Sequence, residues 1–218
     1  MITAQTLSAW IHHFALVIEE QKGYLTDLDA QIGDADHGVN MARGFQKVMS
    51  QMPRIESEGI GGVLKITGMT LISSVGGASG PLYGTFFLDA AKEAGTLLEL
   101  TPLELCRVFE AGLAGIQRIG KAQAGEKTMV DVLLPGIAAL RESLRKGKSL
   151  KEAVSEMTSA ASKARDATIS MLARKGRASY LGERSIGHMD PGAASAYMLL
   201  ETFADAILVG TPDNRKNE

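Results

Sequence analysis

Apolar residues recur at intervals of three and four along most of the chain, which is the period of an amphipathic helix. Leu7, Trp10, Ile11, Phe14, Val17 and Ile18 mark a first such stretch. Met41, Phe45, Val48, Met49 and Met52 mark a second, which Pro53 is expected to stop. Ile60, Val63, Leu64, Thr67 and Leu71 mark a third. A fourth opens at Pro81, a favourable first helical residue, and closes near Gly95. Thr101-Pro102-Leu103-Glu104 reads as a capping box that opens a fifth. A sixth runs from Thr128 to Arg145 with a bend expected at Pro135, and Ser149-Leu150-Lys151-Glu152 is a second capping box opening the seventh. The eighth runs from Gly192 to Leu208. The segment ITGMTLISSV has a strand-like composition, but its flanks and the lack of a partner argue against a strand. Residues 1–210 read as a single domain and 211–218, TPDNRKNE, as a frayed tail. The expected fold is therefore all-α: an up-and-down bundle, or closed barrel, of eight antiparallel helices.

The connections between these helices are of two kinds. The second, fourth and sixth are plain: PRIESEG, GTLLEL and KGK. The first, third, fifth and seventh carry DAQIGDADHG, SSVGGASGP, RIGKAQAGEKT and the long ARKGRASYLGERSIGHMDPG. Alternate connections of an up-and-down bundle lie at the same end. The four unusual loops are therefore expected to meet, together with the N-termini of the second, fourth, sixth and eighth helices. Each helix start brings unpaired N–H groups and about half a positive charge, which together suit an anion.

Composition narrows the function class. The 218 residues carry a formal charge of −2, with 45% hydrophobic and 22% charged residues. That balance lacks the basic excess of a nucleic-acid surface. No run of about 18 uncharged apolar residues is present, so no membrane span is expected. The N-terminus has no basic segment followed by an apolar one, so it does not read as a signal peptide. Cys106 stands alone between apolar neighbours, which reads as a buried structural thiol in a reducing cytoplasm.

The unusual loops carry the chemistry. Asp29, Asp34 and Asp36 offer hard oxygen ligands of the kind Mg²⁺ takes, although Asp before Gly also serves as an ordinary cap or turn residue. His37 follows them, placed to cap the helix or touch a phosphate. GGASG, residues 76–80, makes a turn whose backbone N–H groups can approach an anion, but it lacks the GK[ST] ending of a Walker motif. The seventh connection is basic, with Arg174, Lys175, Arg177 and Arg184 beside His188 and Asp190, and its length suits a lid or a binding loop. Carboxylates, glycine turns and guanidinium groups at one end of a bundle point to a metal-bound polyphosphate, most simply a nucleotide. No nucleophile with its base stands out, and no second pocket for an acceptor.

The combination GDADHGVNM, TGMTLISSVGGASGPLYGTFF, GEKTMVDV and ARKGRASYLGERSIGHMDPGA resembles the DhaL-type nucleotide-binding subunits of dihydroxyacetone kinases, in the same order and from Trp10 to about Leu208. The resemblance implies an eight-helix antiparallel barrel with ADP or ATP at one end. It implies two Mg²⁺ ions held by Asp29, Asp34 and Asp36. It implies nucleotide contacts at His37, Gly38, Val39, Asn40, Ala78, Ser79, Gly120, Met129, Arg177, Asp190, Pro191 and Gly192, with Arg177 also acting in transfer. In the phosphotransferase-system-dependent form, a phosphoprotein recharges bound ADP in place. The γ-phosphoryl then passes to dihydroxyacetone on a separate subunit, which accounts for the missing acceptor pocket. A transcription regulator and a second copy of the chain are further candidate partners. The competing expectations are a kinase subunit that exchanges ATP freely and serves another short ketose, and a nucleotide-loaded regulator without enzymatic activity.

Overall fold

The computed structural model describes residues 1–209; the tail expected at 211–218 lies outside the described residues. Ten α-helices are described: α1 Ala4–Glu20, α2 Lys22–Ile32, α3 His37–Met49, α4 Met52–Ile55, α5 Ile60–Ser74, α6 Ser79–Ala94, α7 Pro102–Gly120, α8 Val130–Arg145, α9 Leu150–Ala167 and α10 Pro191–Val209. Eight of them form the barrel. Neighbours run α1, α3, α5, α6, α7, α8, α9, α10 and back to α1. The closing contact includes a hydrogen bond of 2.9 Å from Trp10 Nε1–H in α1 to the carbonyl of Leu199 in α10.

The two additional helices are local departures from the expected eight. The first stretch continues beyond Glu20 as α2, which packs on α3 and α10 and carries Asp29 toward the site. Pro53 does not simply stop a helix: it occupies the first turn of the short α4, where its missing N–H costs nothing. Both capping boxes form as read. Thr101 Oγ1 accepts from Glu104 N–H at 3.2 Å, and Ser149 Oγ accepts from Glu152 N–H at 3.3 Å. ITGMTLISSV is helical within α5 up to Ser74, and only Val75 is extended. The described residues nevertheless include one strand pair, β1 Ile2–Thr3 against β2 Glu99–Leu100, antiparallel with Ile2 opposite Leu100. Two residues are too few to show a period of two, so the sequence carries no sign of this clasp between the starts of α1 and α7.

The interior is aromatic and tightly filled. Trp10 lies 5.2 Å from Phe203 and 5.6 Å from Phe109 between ring centroids, and Phe14 lies 4.7 Å from Phe45. Neighbouring helices approach closely where side chains are absent: a Cβ on Gly68 of α5 would stand 2.7 Å from the carbonyl oxygen of Gly84 in α6. Cys106 is buried as expected, and burial pushes its thiol up to about 11. Helix α10 is apolar enough for a membrane-length span, with mean hydropathy 1.3, but 56% of that window is buried in the barrel wall. Its apolarity follows from packing on α1, α8 and α9.

Candidate functional site

The four unusual connections meet around one cavity of about 280 Å³. The first residues of four helices line it: His37 of α3, Ser79 of α6, Val130 of α8 and Pro191 of α10. This is the set of helix starts expected from alternation, and it points four ends of positive helix dipole into one space. The charged lining comes from the first and seventh connections and from Lys127 of the fifth. The apolar lining comes from Leu82 of α6, Ile116 of α7, and Ala122 and Met129 of the fifth connection.

Ligand oxygens of Asp29, Asp34 and Asp36 lie within 4.8 Å of one another. The geometry is built locally. Asp29 is buried in the last turn of α2, and its Oδ2 accepts from the N–H groups of Asp36 at 2.8 Å and His37 at 3.1 Å. Those bonds fold the segment 33–36 back over Asp29 and satisfy two N–H groups at the start of α3. Gly33 is required by this packing, because a Cβ there would fall 2.0 Å from Asp29 Oδ1. Ala35 sits at φ +60, an uncommon value for a side-chain-bearing residue, between Asp34 and Asp36. Asp34 is exposed and pairs with Arg177, whose Nε stands 3.0 Å from Asp34 Oδ1.

His37 is held at both ring nitrogens, with Nδ1 3.1 Å from Ser79 Oγ and Nε2 2.9 Å from Ser195 Oγ. Ser195 also meets the hydroxyl of buried Tyr83 at 2.7 Å. Burial lowers the imidazole pKa, against the opposing pull of Asp29 and Asp36. The ring thus ties the starts of α3 and α6 to the body of α10.

Asp190 caps α10 by accepting from Ala193 N–H at 2.7 Å. Its own N–H donates to Thr168 Oγ1 at 3.2 Å. Burial pushes its carboxyl up to about 7, with the Ala193 bond and Lys127 pulling the other way and Asp131 and Asp29 adding to the rise. The folded state therefore keeps a proton that the unfolded chain releases near the ordinary carboxylate value. Stability falls as pH rises between those two values and stays reduced above 7. Asp190→Asn keeps an oxygen for Ala193 N–H and removes the cost. Its advantage in thermal melts of the nucleotide-free, Mg²⁺-free protein is expected to grow by about 1–2 kcal/mol between pH 5 and pH 8, less than the full shift because the carboxyl faces the cavity. An advantage that does not change with pH would contradict this.

Of the residues expected to touch nucleotide or metal, the cavity is lined by Asp29, Asp34, Asp36, His37, Ala78, Ser79, Gly120, Met129, Arg177, Asp190, Pro191 and Gly192. Gly38, Val39 and Asn40 are not in the lining. Gly38 packs against α2, where a Cβ would stand 2.1 Å from the carbonyl oxygen of Lys22. Val39 is exposed. Asn40 accepts from Arg43 Nη2 at 2.7 Å through its side-chain oxygen, beside Gly76 of the glycine turn.

Several residues that shape the site were not singled out in the sequence: Tyr83, Lys127, Asp131, Thr168 and Ser195. Asp131 accepts from Thr128 N–H at 2.8 Å and from Gly125 N–H, which holds the fifth connection. A carboxylate inside the apolar run MVDVLL was a usable signal for it. Ser195, Tyr83 and Thr168 carry no such signal, since hydroxyl residues in helices are ordinary.

The DAK2 domain family matches residues 31–205. The ADP-binding subunit DhaL of the PEP-dependent dihydroxyacetone kinase of Escherichia coli is 50% identical over 195 residues, covering 89% of this chain and 93% of that protein. The corresponding PTS-dependent subunit of Lactococcus lactis is 42% identical over 207 residues, 95% of this chain and 100% of that protein. Among solved structures, the dihydroxyacetone kinase of C. freundii superimposes with a TM-score of 0.70 at 23% identity, covering 92% of this chain and 34% of that longer one. The last likeness concerns the fold.

Proposed function

The chain belongs to the DAK2 domain family, and from that membership we infer that it is the ADP-binding subunit of a phosphoenolpyruvate-dependent dihydroxyacetone kinase. It works with other subunits: one that binds dihydroxyacetone and one that donates phosphoryl groups from the phosphotransferase system. The observation that carries the site assignment is the meeting of three carboxylates and four helix starts in one cavity.

The three carboxylates are an all-oxygen donor set close enough to share hard cations, which fits two Mg²⁺ ions bound through Asp29, Asp34 and Asp36. Asp29, Asp34 and Asp36 would hold the Mg²⁺, which would supply positive charge to offset that of the phosphates. The chain's own groups then have distinct tasks. The backbone N–H groups at Ala78 and Ser79, with the starts of α8 and α10, hold phosphate oxygens against helix dipoles. Met129, Leu82 and Ile116 give the base an apolar wall, with Gly120 leaving room beside Leu82. Arg177 supplies a positive charge at the carboxylate cluster, paired with Asp34. Phosphoryl transfer depends on positioning and electrostatics, so the site requires no protein nucleophile.

We place this reaction in the cytoplasm, where phosphoenolpyruvate is supplied, with ADP retained through the cycle. A transcription regulator or a second copy of the chain would be a further partner. The test is reconstitution with the dihydroxyacetone-binding subunit, the phosphoryl-donor subunit, phosphoenolpyruvate and dihydroxyacetone. Product formation is expected to need all four and no added ATP. Equal rates with free ATP and no donor subunit would instead identify a nucleotide-exchanging kinase.

A further inference from the structure

A buried lysine in a nucleotide pocket ordinarily suggests a phosphate ligand, but Lys127 is bonded otherwise. It is 1% exposed, and its Nζ donates to three backbone carbonyls: Thr168 at 2.6 Å, Met171 at 3.2 Å and His188 at 2.5 Å. An ammonium has three protons, so none remains for a ligand. Thr168 and Met171 open the seventh connection and His188 closes it. Between them lie Lys175, Gly176, Arg177 and Ala178, which reach the cavity.

We propose that Lys127 is a positioning residue: a clip that fastens both stems of the seventh connection and so sets where Arg177 and the start of α10 stand. Neighbouring bonds act in the same sense. Gly187 N–H donates to the carbonyl of Ile169 at 2.7 Å, and Arg174 N–H to the carbonyl of Glu126, next to Lys127, at 3.1 Å. Lys127 itself is held at φ +60 in a loop capped on either side by Asp131. A non-glycine residue keeps such a backbone only where its surroundings over-determine it. The three carbonyls are also an acceptor set that matches the three protons of an ammonium. A methyl-ended side chain of similar length would take this donor from the carbonyls of Met171 and His188 and leave that of Thr168 only the Met171 N–H, 3.1 Å away.

The test is amide hydrogen exchange on Lys127→Met with neither nucleotide nor Mg²⁺ present. Amides of 172–187 are expected to exchange about tenfold faster or more, with those of α1 and α5 unchanged. In the reconstituted kinase, turnover at saturating nucleotide is expected to fall with little change in KM for dihydroxyacetone. The exchange result is independent of the assignment of the pocket to ADP, whereas the turnover result rests on it. Unchanged exchange in 172–187 together with weakened ADP binding would make Lys127 a phosphate ligand and overturn the proposal. Faster exchange throughout the chain would reduce Lys127 to general packing and overturn it as well. If the variant does not fold, the parent protein decides by ¹⁵N NMR of lysine side chains. The Lys127 ammonium protons are expected to be protected without nucleotide, with a nitrogen shift that Mg²⁺ and ADP leave in place. A shift that moves on adding ADP refutes the clip.

Discussion

Asp34→Ala and Asp36→Ala are each expected to weaken Mg²⁺-dependent ADP binding by more than about a hundredfold, since even outer-sphere partners of metal ligands are worth ten- to a hundredfold. The fold should survive. Asp34 is exposed, Asp36 is half-buried, and neither side chain accepts a capping hydrogen bond from α3. Thermal stability of the metal-free protein should stay within about 0.5 kcal/mol of the parent, as for ordinary surface changes. Asp29 differs in kind. Its buried carboxylate accepts from two N–H groups, so Asp29→Ala should also destabilise the metal-free protein by about 2–6 kcal/mol, at about 1–3 for each donor left unpaired. Titration calorimetry with and without Mg²⁺, beside thermal melts, reads both effects. Parent-like ADP affinity in Asp34→Ala or Asp36→Ala would remove the metal assignment.

Arg177→Ala is expected to lower turnover of the reconstituted kinase by about 10²–10³, the usual cost of losing one positioned donor to a developing charge. Its side chain is 69% exposed, and its ion pair with Asp34 is of the solvent-screened kind that contributes little to stability. The melting temperature should therefore barely move. Loss of activity in step with a large fall in melting temperature would show that Arg177 serves the fold. Arg177→Lys should recover only part of the rate, because an ammonium cannot reproduce the planar fork of a guanidinium.

Much of this was legible because it is written locally. Helix periods, both capping boxes and the closing Gly95 appear at their expected places, since each depends on residues within a turn or two. The gathering of four connections at one end also followed, because alternation in an up-and-down bundle leaves no other arrangement. The long seventh connection was legible as a binding loop but not in its internal order. It contains short 3₁₀ segments at 168–170 and 177–185, held by contacts such as Ala173 N–H to Ser185 Oγ at 3.0 Å. Gly38, Val39 and Asn40 show what sequence order leaves open. They follow the carboxylates in sequence, yet entry into α3 turns Gly38 onto α2 and Val39 outward, away from the cavity lining.

By itself, the chain's alternation of apolar and polar positions determined a ring of helices and the end at which its unusual loops, with their three carboxylates, gather. Those are consequences of short-range periodicity and of connectivity. Tertiary structure alone decided that a lysine in GEKT points inward to fasten a loop that begins some forty residues later, that His37 joins Ser79 to Ser195, and that Ile2 pairs with Leu100. Each of these joins groups far apart along the chain. A lysine, a serine or an isoleucine reads the same in sequence whichever partner the packing brings to it.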